Sequence, residues 1–258
     1  MGQPLTARCD LHIHTALSPC GEPEMSPARI ARMAVARGLH VIAITDHNSA
    51  ENVEAVKVAG ERLGLWVIPG IEVQTVEEVH VLGFFDTISG ALSCQEMVYA
   101  TLPREKNREE FFGEQLIMDY NDNVVGKCDR LLLTSARLSF EEAVSAITEN
   151  GGMAIAAHVD RPAFSVIRTL GFIPEGARIE AVEVSPRRRV EDVLREYPSL
   201  ERFPAIVSSD AHRLEDMARG VTTLELSSRC LDGLRTALAL GARCYRGDYG
   251  CTGGPIDA

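Results

Sequence analysis

Residues 8–14, RCDLHIH, and residues 40–48, HVIAITDHN, decide the architecture. The first reads as a strand; the second opens with a short apolar run, HVIAIT, and ends in polar and ionisable residues. Runs of this length, rich in β-branched residues, read as buried strands. Between them Ser26-Pro27 marks a helix start, with Ser as the cap and Pro at the first helical position. Ile30, Met33, Ala34 and Arg37 follow along that helix, and Gly38 stops it. A strand–helix–strand unit of this kind predicts a parallel pair.

The alternation continues outward. Residues 52–63 read as a second amphipathic helix, 65–72 (LWVIPGIE) as a third strand and 78–84 as a fourth. From Asp86 to Arg137 the pattern changes: REKNREEFFGEQL reads as a helix exposed on one side, and DYNDNVVGKCDR as a turn or hairpin. Residues 86–137 are expected to form an insertion or cap over the mouth of the fold, or else an irregular outer layer. Ser139 and Glu142 make a capping-box pattern before a helix that ends at Gly151-Gly152. MAIAAH (153–158), IEAVEV (179–184), PAIVSS (204–209) and VTTLEL (221–226) read as strands, with helices after Pro162 and over 232–240. The expectation is one α/β domain over residues 1–258, built on a parallel sheet, open or closed.

The 258 residues are 45% hydrophobic, enough for a large core without staples. A net charge of -11 argues against a broad nucleic-acid surface. It leaves a small anionic substrate open, because bound metals can reverse the local field. The cysteines (Cys9, Cys20, Cys94, Cys128, Cys230, Cys244 and Cys251) are scattered, odd in number and without a CxxC pair. Reduced thiols fit better than a disulfide framework. The start, MGQPLTARCD, lacks a signal-peptide pattern, and no apolar run is long enough to span a bilayer. The expected location is the cytoplasm.

Six of the seven histidines fall at strand ends: His12, His14, His47, His80, His158 and His212; Glu72 and Asp210 fall there too. In parallel α/β folds that edge is where ligands bind. His12 and His14, two apart on a strand, share a face, and Asp210 and His212 repeat the spacing. Imidazole with carboxylate suits Zn, Mn or Fe. Glu72 could bridge two ions about 3.5–4 Å apart. A single strand histidine, an H-x-H pair or a TDH is weak evidence, because structural histidines occur in the same settings. Scattered structural histidines would not gather at strand ends six times in seven.

The segments DLHIHT (10–15), ITDHN (44–48), PGIE (69–72), HVLGF (80–84), AH (157–158) and SSDAH (208–212) resemble, in order, the PHP (polymerase and histidinol phosphatase) superfamily over residues 8–225. The resemblance implies a distorted seven-stranded βα barrel related to the amidohydrolases. It implies a cytoplasmic metal-dependent phosphoesterase, most similar to the small group acting on 3′,5′-bisphosphorylated nucleosides and RNA 5′ ends through a metal-bridging hydroxide. His12, His14, Glu72 and Asp210 would hold a first metal; Glu72, His80 and His158 a second; His47 and His212 a third. The family's aspartate for the third site is absent from Ser18-Pro19-Cys20-Gly21-Glu22, where Cys20 aligns best and Glu22 and Glu24 are rivals. Two or three divalent ions are therefore expected.

Glu72, Asp210, His47 and His212 are the candidate catalytic residues; His47 or His212 could protonate a leaving group if the third metal is missing. Asp46 and Asp10 could orient imidazoles, and Asp46 could equally cap the helix that follows. Arg161, Arg187, Arg188 and Arg189 could clamp a phosphate, or the RRR run could be a solvated helix start. Lys106 and Arg108 could reach in from the insertion. The expected partner is a small phosphorylated molecule, with a nucleotide or short RNA end among the candidates. The alternatives are an amidohydrolase acting on C–N bonds, a histidinol-phosphate-type phosphatase and a non-catalytic metal-binding regulatory module.

Overall fold

The computed structural model describes residues 5–246, so residues 1–4 at the start and Cys251 lie outside it. The strands are β1 (Leu5–Ile13), β2 (Val41–Ile44), β3 (Trp66–Gln74), β4 (His80–Phe84), β5 (Leu116–Met118), β6 (Val124–Lys127), β7 (Met153–Ala156), β8 (Ile179–Val184), β9 (Ala205–Val207), β10 (Gly220–Leu226) and β11 (Arg243–Arg246). The helices are α1 (Pro27–Ala36), α2 (Val53–Glu61), α3 (Ile88–Thr101), α4 (Glu109–Phe112), α5 (Phe140–Glu149), α6 (Val166–Leu170), α7 (Val190–Glu196) and α8 (Leu231–Leu240).

Two expectations need correction. The main sheet holds nine strands rather than seven, in the order β11-β10-β1-β2-β3-β4-β7-β8-β9. It is also mixed rather than parallel. The β1–β2–β3 and β7–β8–β9 pairs are parallel, whereas β4 is antiparallel to both β3 and β7. The link from β3 to β4 is only residues 75–79, and a parallel crossover needs a dozen residues or more. Chain length therefore forces a hairpin there. β10 runs antiparallel to β1, and β11 to β10.

The sheet nearly closes into a barrel. Ile13 makes a parallel bridge with Ala211, and the His14 N–H donates to the Ala211 carbonyl at 3.0 Å. Lower down, the Thr222 hydroxyl on β10 accepts from the Val207 N–H at 2.8 Å and donates to the Val207 carbonyl at 2.9 Å. Alternate strand residues serve two cores. Ile44, Val67, Val81 and Val182 pack with helices α1, α2, α3 and α5, through residues such as Ile30, Val56, Val98 and Ile147. Leu11, Ala43, Ile68, Leu82, Ile155, Ala181 and Ile206 gather with Leu231, Leu234 and Leu238 of α8. The second core occupies the end where α8 packs, so the other end is left to polar residues.

Segment 86–137 is less uniform than its composition suggests. α3 packs on β3 and α5 and so belongs to the outer helical layer. The exposed helix expected from REKNREEFFGEQL shrinks to the single turn of α4, which buries no residue. The hairpin is present as β5–β6. Asn48 donates from its amide to the Leu132 and Thr134 carbonyls, both at 2.9 Å, and Asn52 to the Leu116 carbonyl at 2.9 Å. These bonds tie residues 116–134 to the loop after β2. The Ser139–Glu142 capping box forms as expected. Ser26 precedes α1 as expected, but its buried hydroxyl makes no cap bond. The described cysteines are free, and among the described residues no helix is long and apolar enough to cross a membrane.

The barrel seam has no room for a side chain on Gly220, where an added Cβ would lie 2.3 Å from the Ser208 carbonyl oxygen. Backbone on both sides of the seam cannot yield as a side chain could. Gly220→Ala is expected to destabilise the fold by about 1–3 kcal/mol, the usual cost of overpacking. Urea unfolding would show this as a lowered midpoint; an unchanged midpoint would contradict the seam.

Candidate metal centre

The polar end of the barrel collects six histidines. His12 and His14 come from the end of β1 and just beyond it, and His47 from the loop after β2. His158 follows β7, and His212 follows β9. His80 opens β4 rather than ending it, yet reaches the same rim because β4 runs backwards between its neighbours. The seventh, His40, stands apart and accepts the Arg8 N–H at 3.0 Å.

Glu72, at the end of β3 and almost fully buried, is the hub. Its Oε1 lies 2.8 Å from His80 Nδ1 and 3.3 Å from both His158 Nε2 and His12 Nε2. Its Oε2 lies 2.8 Å from His47 Nδ1 and 3.4 Å from His14 Nε2. Asp210 Oδ1 sits 3.2 Å from His12 Nε2 and 3.1 Å from His14 Nε2. Around these, His14, His47 and His212 form one compact donor group, and His47, Glu72 and His80 another. The three metal positions implied by resemblance are thus not separate pockets; His14 and His47 sit where they adjoin.

The donor set fits divalent metals. His12 Nε2 and His14 Nε2 approach to 3.1 Å, an arrangement two imidazoles satisfy only by sharing a proton or a cation. Glu72 Oε2, Asp210 Oδ1, His47 Nδ1 and His158 Nδ1 are buried without a hydrogen-bond partner. The 2.8 Å approach of His47 to Glu72 has the distance of a bond but not its direction. Buried polar atoms left unpaired are costly, so Glu72, Asp210 and His47, whose donor atoms fall within compact donor groups, point to bound cations.

The electrostatics agree. Burial opposes charge on Glu72, but His80, His12 and His47 outweigh it and hold the carboxyl well below the usual range. His12 and His14 hold Asp210 low in the same way, against burial. Burial lowers His80 to about 4, keeping its imidazole neutral and its lone pair available.

The supporting shell includes residues that sequence reasoning missed. Glu183 on β8 accepts from His12 Nδ1 at 2.9 Å and from the His158 N–H at 3.0 Å. The first bond turns His12 Nε2 toward the centre, a carboxylate–histidine arrangement common behind metal ligands. Glu183 gives no sequence signal beyond a charge inside the apolar run IEAVEV. Asp46 acts through an intermediary: it accepts from Ser18 Oγ at 2.7 Å, and that hydroxyl lies 2.9 Å from His14 Nδ1. Asp46 also accepts from Thr15 N–H and Oγ, so its side chain does not cap the next helix. Asp10 makes no hydrogen bond to an imidazole among the described residues. It accepts the Ser209 and Ala218 N–H groups at 2.9 and 2.8 Å and so anchors the loop carrying Asp210.

The remaining candidates separate. Cys20 is exposed at the rim; the cost of partly desolvating its thiol is outweighed by the nearby His212 and His47 imidazoles, which draw it down to about 6. Glu22 instead pairs with Arg213, and Glu24 is exposed. Arg161 pairs with Asp210 Oδ2 at 2.6 Å. With Arg187 and Arg219 it lines a cavity of about 300 Å³ that also exposes Ser209, Asp210 and Asp216. Arg219 was not foreseen. Arg188 turns to Glu196 at 2.6 Å, and Arg189 precedes α7 as a helix start and lies near Glu191. Arg108 stacks over Phe111, and Lys106 bridges Arg130, so neither is placed at the centre by a contact.

Four non-glycine residues at this rim have left-handed backbone: His158 (φ 27), Asp210 (φ 50), Asn48 (φ 52) and Phe164 (φ 60). Such conformations cost of order 1–3 kcal/mol each and concentrate at functional sites.

Comparison with known proteins agrees with this geometry. The model of the PHP domain family matches residues 10–159, and that of a PHP-associated region matches residues 187–242. The chain is 30% identical over 112 residues to the 5′-3′ exoribonuclease Rnm of Escherichia coli, covering 42% of this chain and 37% of that protein. It is 31% identical over 100 residues to a phosphoribosyl 1,2-cyclic phosphate 1,2-diphosphodiesterase of Eggerthella lenta, covering 37% of each. The chain thus spans little more than a third of either curated relative. Among solved structures, the lesion-specific endonuclease EndoQ of Pyrococcus furiosus superposes with a TM-score of 0.70 at 18% identity, over 93% of this chain and 58% of that one. That likeness is one of fold.

Glu183→Gln tests the supporting shell, because an amide cannot anchor the His12 imidazole as a carboxylate does. Divalent metal affinity, measured by competition with a chelator, is expected to fall about 10–100-fold. Undiminished affinity would remove Glu183 from that role.

Proposed function

Because the chain belongs to the PHP domain family, we propose that it is a metal-dependent phosphoesterase acting on nucleotides or other small phosphorylated metabolites. One observation carries the reading: a buried carboxylate, Glu72, is met by five imidazoles within 3.4 Å, beside an arginine-lined cavity open to solvent. The curated relatives named above are an exoribonuclease and a cyclic phosphate diphosphodiesterase, both acting on phosphoesters.

In this reading His12, His14, Glu72 and Asp210 hold one divalent ion, and Glu72, His80 and His158 a second. His47 and His212, with Cys20 in place of an aspartate, hold a third. The imidazole-rich set favours Zn, Mn or Fe. Bound, these ions supply positive charge to a phosphoryl group and acidify water at neutral pH. Arg161 and Arg187, on the rim of the cavity, hold the non-reacting anionic oxygens, as planar guanidinium groups do. Arg161 also keeps Asp210 oriented through their ion pair. Burial opposes charge on His212, but the neighbouring Cys20 thiol and the Asp210 carboxylate outweigh it and raise its pKa. His212 Nδ1 faces the Asp210 carbonyl at 3.0 Å. With two ions bound, His212 is then placed to deliver a proton to the leaving oxygen.

Purified protein is expected to carry two or more equivalents of Zn, Mn or Fe, and to release phosphate from a panel of phosphomonoesters and nucleotides. Chelation should abolish turnover and divalent metal restore it. Glu72→Gln and His80→Ala are expected to lower kcat by more than about 100-fold, beyond the loss typical of a merely supporting residue. Full activity in both variants would refute the site. Hydrolysis of amides or lactams with none of any phosphoester would move the chain to amidohydrolase chemistry.

A further inference from the structure

We propose that Phe164 is the specificity-determining residue of this centre, its phenyl ring forming a platform on which the planar base of a nucleotide stacks. The inference rests on the phosphoesterase reading and names the part of the substrate that lies beyond the phosphate.

Phe164 lies on the loop between β7 and α6. Its ring stacks on His80, with centroids 4.7 Å apart and planes at 22°. His80 is buried, so Phe164 forms a layer outside it, and at 39% exposure the ring still presents much of its surface. The contact with His80 uses one face of the ring, and the rest stays open beside a cluster of ionisable residues. The backbone adds a second observation: Phe164 adopts φ 60, which a bulky residue takes only when its surroundings hold it there. They do: the Phe164 carbonyl accepts the His80 N–H at 3.0 Å, and the Ser165 hydroxyl donates to the Val159 carbonyl at 2.6 Å.

The same loop carries Arg161, which reaches Asp210 at 2.6 Å. A single loop therefore delivers a cation to one side of the centre and an aromatic face to the other, at His80. A substrate that uses both carries an anionic group and a flat, polarisable ring, which is the chemistry of a nucleotide. Stacking of this kind tolerates any base, because every base has a π-face.

The competing role for Phe164 is a hydrophobic cover over His80, which would serve every substrate equally. The test compares a nucleoside 3′,5′-bisphosphate with the same sugar bisphosphate lacking its base, in wild type, Phe164→Leu and Phe164→Tyr. Leucine keeps a cover and loses the π-face; tyrosine keeps both. The wild type is expected to prefer the nucleoside form in kcat/KM by about 10-fold or more, the range of one base–aromatic stack. Phe164→Leu should bring that ratio close to one, and Phe164→Tyr should retain it. A ratio near one in wild type, or a ratio unchanged in Phe164→Leu, overturns the proposal. A second measurement is independent of turnover: fluorescence of a 2-aminopurine nucleotide should be quenched on binding wild type and Phe164→Tyr, but not Phe164→Leu. Absence of hydrolysis of every phosphoester in the panel by wild type would sink the phosphoesterase reading; absence of quenching would sink this one.

Discussion

One buried carboxylate orders the polar end of this barrel. Glu72 approaches nitrogen atoms from β1, the loop after β2, β4 and the turn after β7. A charge that deep in the fold would be untenable alone, because the interior cannot solvate it. It is tolerated here because imidazoles surround it, and the imidazoles in turn need something positive between them. The resulting array is unstable toward rearrangement unless protons or metal ions occupy it. That requirement links the fold to cation binding more directly than any single motif.

The rest of the molecule can be understood as holding those side chains still. Backbone seams tie β1 to the segment after β9, and Asp10 fastens the same segment through two N–H groups. Asp46 and Ser18 hold His14, while Glu183 holds both His12 and the backbone of His158. Left-handed backbone at His158 and Asp210 shows that the surrounding contacts overcome local preference to place those side chains. Such a site is preorganised, and its cost is met by the large apolar layers on either face of the strands.

Charge is divided between the two sides of the mouth. Carboxylates and imidazoles form a deep floor, whereas Arg161, Arg187 and Arg219 stand around the adjoining cavity. A chain with a net charge of -11 can still receive an anion there, because the local arrangement rather than the total decides the field. The aromatic ring of Phe164 above His80 adds an exposed apolar surface at this rim, and an incoming group is its natural partner.

Strand positions, the Ser139 capping box and the placing of His12, His14, His47, His80, His158 and His212 at or beside strand termini were legible in the sequence, because burial periodicity and turn chemistry are local. Strand direction was not: β4 reads like any other strand, and only the short link at 75–79 betrays its reversal. α3 was hidden because small residues such as Ser89, Gly90 and Ser93 blur its apolar stripe of Ala91, Cys94 and Val98. Glu183 and Arg219 were invisible for a different reason. Their significance depends on which residue stands opposite, and nothing in a linear pattern records that His12 faces β8 or that Arg219 borders the same cavity as Arg161. The sequence by itself determined the inventory of candidate ligands and the barrel-like alternation; tertiary structure alone decided which carboxylate became the hub, because that follows from strand order and register, which bring together residues such as His12 and Asp210, 198 positions apart.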